Sequence, residues 1–254
     1  MLRIELSPDC HATLKPQPFN SQAFGFSSAQ LADVAADNEA SAAALLEQVD
    51  VAVRERGYRH VVLRIPAYHR VLHAALVRAG YYFAESSISL SLAGLNVRDY
   101  SKLAGRVRLV VADSTQLPEL VHIASQDFHH GRFLEDPFLD QALARRRHAL
   151  WLEELAKTGE LYAALAGDQL VGFHAEHDLR NGCADLILTG AAQRYSMLAP
   201  AIWASALMSL KARDVRTCTT MVSAANLGVL NLYQRLGFRF DETWYGFHRF
   251  FDVP

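Results

Sequence analysis

Asn226 and Tyr233 stand seven residues apart in the stretch SAANLGVLNLYQRLGF, Ser223–Phe238. Seven residues is about two turns of α-helix, so both side chains fall on one face. An asparagine can cap a helix start, and a phenol with an ordinary pKa of about 10 still carries its proton at neutral pH. The plainer alternative is that Tyr233 is a core residue whose hydroxyl finds a partner. A second concentration of chemical groups is HHGRFLEDP, His129–Pro137. There His129 and His130 can take up protons, Arg132 can grip a phosphate or carboxylate, and Phe133 offers a stacking face. The same residues also read as a polar helix entry, with Asp136 as cap and Pro137 in the first turn.

These groups need elements to hold them. Val229, Leu230, Tyr233 and Leu236 recur at helical spacing between Asn226 and Gly237, and the preceding Thr217–Val222 favours a strand. Asn226 and Tyr233 therefore sit on a short helix that opens at a strand end and closes on a left-handed glycine. The unit has an earlier counterpart: HVVLRIPAYHRVLHAALVRAGYYFAES matches CTTMVSAANLGVLNLYQRLGFRFDET in running strand, helix, glycine, aromatic, strand. Gly80, Tyr81, Phe83 and Glu85 correspond to Gly237, Phe238, Phe240 and Glu242, but His69 and Leu76 replace Asn226 and Tyr233. The first half is thus expected to be a partial duplicate without the chemistry.

Elsewhere in that half, Leu31–Arg56 predicts a helix with a break near Asp37 and Asn38, Pro66 a helix start, and Tyr81–Leu92 a strand. The second half predicts a strand at Val107–Ala112, helices at Leu117–Phe128 and Phe138–Ala156, and a hairpin turning at Gly167-Asp168. A turn at Asn181-Gly182, a strand at Ala184–Leu188 and a helix at Pro200–Ala212 follow. The polar Ser101–Arg106 predicts a boundary, giving domains 1–104 and 105–254.

A hydrophobic share of 51%, a charged share of 20% and a net charge of −2 describe an ordinary globular protein with no nucleic-acid footprint. Cys10, Cys183 and Cys218 are scattered, which indicates neither a disulfide framework nor a zinc site and fits reducing cytosol. The longest apolar run, Leu198–Leu210, is too short to span a bilayer, so a cytoplasmic protein is expected.

The pattern Asn226, Val229, Leu232, Tyr233, Leu236, Gly237, Phe238 resembles the last motif of the GCN5-related N-acetyltransferases, N-x-x-A-x-x-L-Y-x-x-L-G-F. The resemblance implies an α+β (mixed α/β) fold with a mostly antiparallel twisted sheet flanked by helices, preceded here by a partial domain of the same kind. It implies acetyl-coenzyme A or another acyl-coenzyme A as co-substrate, with no metal, and Tyr233 as the acid that reprotonates the leaving thiolate. Leu186, Leu188 and Asp185 would line the pantetheine arm or acyl pocket, and Asn226 would bind the coenzyme with them. The family's phosphate-binding turn, R-G-x-G-x-G/A, aligns with Arg194, Tyr195, Ser196, Met197, Leu198 and Ala199, of which only Arg194 and Ala199 fit. Backbone donors do not require glycine if the dihedrals are ordinary helical ones.

The stretch HGRFLEDP, with Trp151 on the helix after it, is similar to a segment of the TDP-fucosamine acetyltransferases. That similarity implies a nucleotide-linked amino sugar as the amine substrate, with His129, His130, Arg132, Phe133 and Asp185 around it. The base stays open among His130, His174, Glu176, Asp185 and a water relay, while His248 either faces substrate or packs. The expected partner is a small molecule, not nucleic acid or membrane, and a homodimer is allowed. Two other readings stand: a binding or scaffold module that keeps the fold, and an acyltransferase for amino acids, peptides or polyamines.

Overall fold

The computed structural model describes residues 1–252. In chain order the elements are β1 (Leu2–Ser7), β2 (Cys10–Pro16), α1 (Pro18–Phe24), β3 (Ser28–Ala35), α2 (Glu39–Glu55), β4 (His60–Pro66), α3 (Arg70–Arg78) and β5 (Tyr82–Ala93). Then come α4 (Ser101–Ala104), β6 (Val107–Val111), α5 (Leu117–Gln126), α6 (Gln141–Thr158), β7 (Leu161–Ala166), β8 (Gln169–Arg180) and β9 (Cys183–Ala191). The last are α7 (Ala199–Ala212), β10 (Thr217–Ser223), α8 (Leu227–Arg235) and β11 (Arg239–Phe250). This is the expected mixed α/β class.

The chain forms two compact units that are not the two halves cut at residue 104. Among the described residues, one contains Met1–Ser87, Gly131–Leu143 and residues 243–252, and the other contains Ile88–His130 and Ala144–Glu242. The inserted segment belongs to the first unit because Phe133 and Leu139 are buried there and Asp136 bonds to Tyr82 and His248.

In the first unit the strand order is β1-β2-β3-β4-β11-β5. The strands β1, β2 and β3 pair antiparallel, β3 and β4 pair parallel, and β4 and β11 pair antiparallel from Pro66↔Trp244 to His60↔Phe250. Leu45, Leu46, Val49 and Val53 of α2 pack on Leu14, Leu31, Val61 and Phe247. Residues 31–35, expected to be helical, belong to the strand β3, and only the part after the expected break at Asn38 is helix. Asn38 makes that break a start: its side chain accepts from Ser41 N at 3.0 Å, and Ser41 Oγ accepts from Asn38 N at 3.1 Å. Pro66 closes β4 instead of opening α3, which begins four residues later.

In the second unit the order is β5-β10-β9-β8-β7-β6, an antiparallel meander from β6 to β9 with β10 added parallel to β9. Each face of this sheet has its own core. Phe173, Ala163 and Leu161 meet Leu120, Ile123 and Leu152 of α5 and α6, whereas Ala164, Val171 and Leu186 meet Ile202, Trp203, Leu207, Leu230 and Tyr233 of α7 and α8. Burying each such large side chain stabilises by about 1.5–3 kcal/mol. Helix α6 starts at Gln141 and not at Phe138, because Asp140 is the cap: its Oδ1 accepts from Ala142 N at 2.7 Å and Leu143 N at 3.3 Å.

The helices α3 and α8 end alike. After α3, Tyr81 N donates to Leu76 O at 2.9 Å around Gly80 (φ 80°); after α8, Phe238 N donates to Tyr233 O at 3.0 Å around Gly237 (φ 87°). Both helices therefore end in the same glycine-dependent closure.

Candidate functional site

The strands β9 and β10 pair over only four positions, from Cys183↔Thr217 to Leu186↔Thr220. Beyond these, β9 runs on to Ala191 and β10 to Ser223 without pairing to each other, so the two form a fork. The facing edges of its arms carry backbone N–H and C=O groups that call for partners from outside the sheet. An extended ligand bearing amides would supply them as an added strand does.

Tyr233 stands at the vertex. The Thr220 hydroxyl, at the last paired position, donates to Leu186 O at 2.8 Å, and Tyr233 lies beside Thr220 and Trp203. Its ring meets Phe238 edge-on at 4.7 Å between centroids and Trp203 at 6.3 Å. Burial pushes the phenol up to about 12, with the neighbouring Trp203 and Thr220 side chains acting in the opposite sense. The group is therefore a proton donor across the whole neutral range. Asn226 caps α8, its side-chain oxygen accepting from Val229 N at 3.2 Å.

Beyond the far end of β9, residues Gln193–Leu198 form a 3-10 turn that leads into α7. Every residue from Arg194 to Ala199 has negative φ, so this turn needs no glycine. Tyr195, at φ −117° and ψ 21°, makes the kink. Neither Ala192 before the turn nor Leu198 before α7 provides a side-chain cap, and the Met197 side chain is 90% exposed. Asp127 Oδ2 accepts from Gln193 N at 2.9 Å, and Tyr195 N and Ala199 N donate to Ala192 O and Ser196 O within the turn, so an anion at this helix start would meet the remaining N–H groups and the helix dipole. The matching helix of the first unit, α2, is closed by its own Asn38–Ser41 capping box and flanked by Asp37 and Glu39. Arg194 lies over the Tyr195 ring at 5.0 Å and holds Glu119 Oε1 at 2.6 Å. That exposed pair is worth about 0–1 kcal/mol, so a phosphate could draw the guanidinium away.

Of the base candidates, His174 and Glu176 come together. His174 Nε2 lies 2.9 Å from Glu176 Oε2 and His174 Nδ1 lies 2.8 Å from Thr189 Oγ1, while Arg213 pairs with the other Glu176 oxygen. An ionised Glu176 accepts from Nε2–H, which leaves Nδ1 to accept from the Thr189 hydroxyl. Thr189 is half-buried on the free arm of β9, so the chain Thr189–His174–Glu176 runs from two buried side chains out to the fork. Burial alone would raise the Glu176 carboxyl, but hydrogen bonds and charges from His174 and Arg213 outweigh it and hold it below its usual value of 4.5. A carboxylate whose folded pKa is depressed adds stability above the unfolded pKa and loses it as pH falls through the folded one. Urea unfolding followed from pH 7 down to 3 should show the loss setting in below about pH 4.5. Glu176→Gln should flatten that acid limb, and an acid limb of unchanged slope would contradict this account.

The other candidates lie elsewhere. Asp185, in the paired part of β9, accepts from Thr219 Oγ1 at 3.0 Å and is not in the open arms; Leu186 is the vertex residue, and Leu188 lies on the free arm. His129 is exposed, and His130 and Arg132 are partly buried, with Arg132 over the Phe133 ring at 4.9 Å. Phe133 offers no stacking face, being buried against Phe24 and His248. Asp136 is not a helix cap either: it is buried and accepts from the Phe138 and Leu139 backbone, from Tyr82 and from His248. His248 packs, with no exposed surface. Thr189, Thr220 and Trp203 were not anticipated, since only strand register brings them to the fork.

No protein-family model and no curated protein matches the chain. Among solved structures it is similar to a GCN5-related N-acetyltransferase from Sphaerobacter thermophilus, at 13% identity and a TM-score of 0.66 over 95% of this chain and 76% of that one. A functionally unknown conserved protein from Staphylococcus epidermidis aligns at 11% identity and a TM-score of 0.68, covering 97% and 93%. A tandem GNAT protein from the clavulanic acid biosynthesis pathway aligns at 14% and 0.59, covering 88% and 75%. At these identities the likeness is one of fold, and the fold is that of the GCN5-related N-acetyltransferases. Among the described residues no helix is long and apolar enough to cross a membrane.

Proposed function

We propose that the second unit is an acyl-coenzyme A-dependent N-acyltransferase. The observation that carries this reading is the fork of β9 and β10 with a protonated phenol at its vertex and an uncapped helix start beyond the end of one arm. The pantetheine amides would bond to the free arm of β9, and the pyrophosphate would sit at the turn Arg194–Ala199, on the backbone N–H groups other than those of Tyr195 and Ala199, which bond within the turn. The amine nitrogen of the acceptor attacks the thioester carbonyl carbon; the C–S bond then breaks and the sulfur leaves with the proton of Tyr233. The proton lost by the amine passes through the Thr189 hydroxyl to His174 Nδ1, with Glu176 holding the ring in the required tautomer. Returning that proton to the tyrosinate closes the cycle. Most of the acceleration is positioning and polarisation of the carbonyl.

The acceptor is read as the amine of a small molecule. A nucleotide-linked amino sugar is the specific candidate, supported by the likeness of the HGRFLEDP loop, with His129 and His130 of the second unit as its polar contacts. Phe133, being buried, drops out of that set. Calorimetry with acetyl- and longer acyl-coenzyme A tests the donor site directly: binding at micromolar to sub-millimolar concentration is expected, and no heat at millimolar ligand would sink the enzyme reading in favour of a scaffold module.

A further inference from the structure

The first unit holds three groups whose chemistry the transfer reaction does not use. His60 on β4, His248 on β11 and Asp136 in the inserted segment are all buried, at 0%, 0% and 1% exposure, and one ligand atom from each lies within 4.8 Å of the others. They are 76 and 112 residues apart in the chain, with no motif to announce them. The antiparallel pairing of β4 and β11, with His60 opposite Phe250 and His248 opposite Val62, puts the two imidazoles on adjacent strands, their rings 5.2 Å apart.

The hydrogen bonds are lopsided. Asp136 Oδ1 accepts from Tyr82 Oη at 3.0 Å, from Phe138 N at 2.9 Å and from Leu139 N at 3.2 Å, so its lone pairs are fully engaged. Oδ2 is turned toward the imidazoles, 2.6 Å from His248 Nδ1 and 3.9 Å from His60 Nε2, with Tyr82 Oη at 3.1 Å. Yet neither nitrogen of His60 has a hydrogen-bond partner among the described residues, and His248 Nε2 has none either. The His60 ring is boxed in by Phe24, Phe26, Phe133 and Phe250, which offer no hydrogen bond through their edges. Leaving a buried polar group unpaired costs about 1–3 kcal/mol, which is a reason to look for the missing partner.

We infer that His60, Asp136 and His248 form a binding site for one divalent transition cation of the zinc type. Two imidazoles and one carboxylate are the donor set such ions take with three protein ligands, leaving a fourth position for water. Bonds of about 2.0–2.1 Å in a tetrahedral site put donors roughly 3.3 Å apart. Reaching this from the observed geometry requires the His248 Nδ1–Asp136 contact to open and the His60 Nε2–Asp136 contact to close, each by about half an ångström to an ångström, and the two imidazoles to draw together from ligand atoms that lie within 4.8 Å of one another. The second shell is already built: Tyr82 and two backbone N–H groups orient the carboxylate.

The test uses the full chain, purified after expression with added Zn²⁺ and then dialysed against metal-free buffer. About one zinc per chain is expected by elemental analysis, and Co²⁺ loaded into chelator-stripped protein should give visible d–d absorption with imidazole ligation. His60→Phe keeps an aromatic ring in an aromatic box, and Asp136→Asn keeps the volume and the contacts to Tyr82. Each should lower Zn²⁺ affinity at least 100-fold and abolish the rise in melting temperature that the metal gives the wild type. Wild-type protein that retains no stoichiometric zinc and gives no cobalt bands overturns the proposal without recourse to any variant. Undiminished binding in a folded His60→Phe overturns it too. Acyl-coenzyme A binding by the second unit bears on neither outcome.

Discussion

Tyr233→Phe should lower turnover with acetyl-coenzyme A by roughly 100-fold or more while leaving coenzyme affinity within about twofold. The substitution removes one oxygen from a side chain that is 3% exposed and otherwise held by Phe238 and Trp203, so the packing of α8 is untouched. What disappears is the phenol proton at the fork's vertex, which burial keeps in place at every pH near neutrality by holding the phenol up at about 12. A thiolate expelled there would have to leave unprotonated or wait for water. Loss of the hydroxyl's hydrogen bonds alters stability by only about 1 kcal/mol, too little to unfold the unit and mimic the kinetic result. Single-turnover thiol release, measured beside calorimetric Kd, separates the two effects. Turnover equal to wild type would remove Tyr233 from the mechanism, and a loss confined to Kd would make it a binding residue.

That tyrosine was legible in the sequence because its signals are local. The cap Asn226, the apolar spacing and Gly237 all lie within one turn of the residues they govern, and each takes the geometry the spacing predicts. The errors fall where distant partners decide. Leu31 and Val34 have helical spacing among alanines, but Ser28–Ala35 is pulled into the sheet by β2 on one side and β4 on the other. A register shift between His11 and Thr13 and the positive φ of Asp33 (51°) absorb the misfit in its pattern. Asp136 has the local form of a helix cap, yet Tyr82 and His248 recruit it into a buried cluster, and the cap falls to Asp140. The fork is a statement about register, and the Thr189–His174–Glu176 chain follows from the same register. No window of the sequence contains either. The missing glycines at Arg194–Ala199 proved a matter of dihedrals: a turn that never leaves negative φ has no position that glycine alone can fill.

Gly172 is a glycine of the opposite kind, required for closeness. A Cβ there would run into the Gly190 carbonyl oxygen across the β8–β9 ladder, and would meet Ile202 Cδ1 at 2.8 Å and Ala191 Cα at 2.9 Å. Ile202 could turn aside, but two of the three obstacles are backbone of a paired strand. Gly172→Ala should therefore cost about 2–4 kcal/mol, near the upper end for overpacking, and bring the urea midpoint down by about 1 M. Its second effect follows from where the strain goes. Lifting Ile202 tilts α7 away from the sheet, and the start of α7 carries the donors proposed for the pyrophosphate, so coenzyme affinity should fall at temperatures where the variant is still folded. Gly228 provides the control within the same unit: it lies in α8, its nearest obstacle is Asn226 Oδ1 at 3.9 Å, and its φ is ordinary. Gly228→Ala should stabilise by up to about 1 kcal/mol, since alanine is the better helix former. Equal midpoints for the two variants would show that the β8–β9 ladder has room at Gly172, and the seating of α7 would then need another cause.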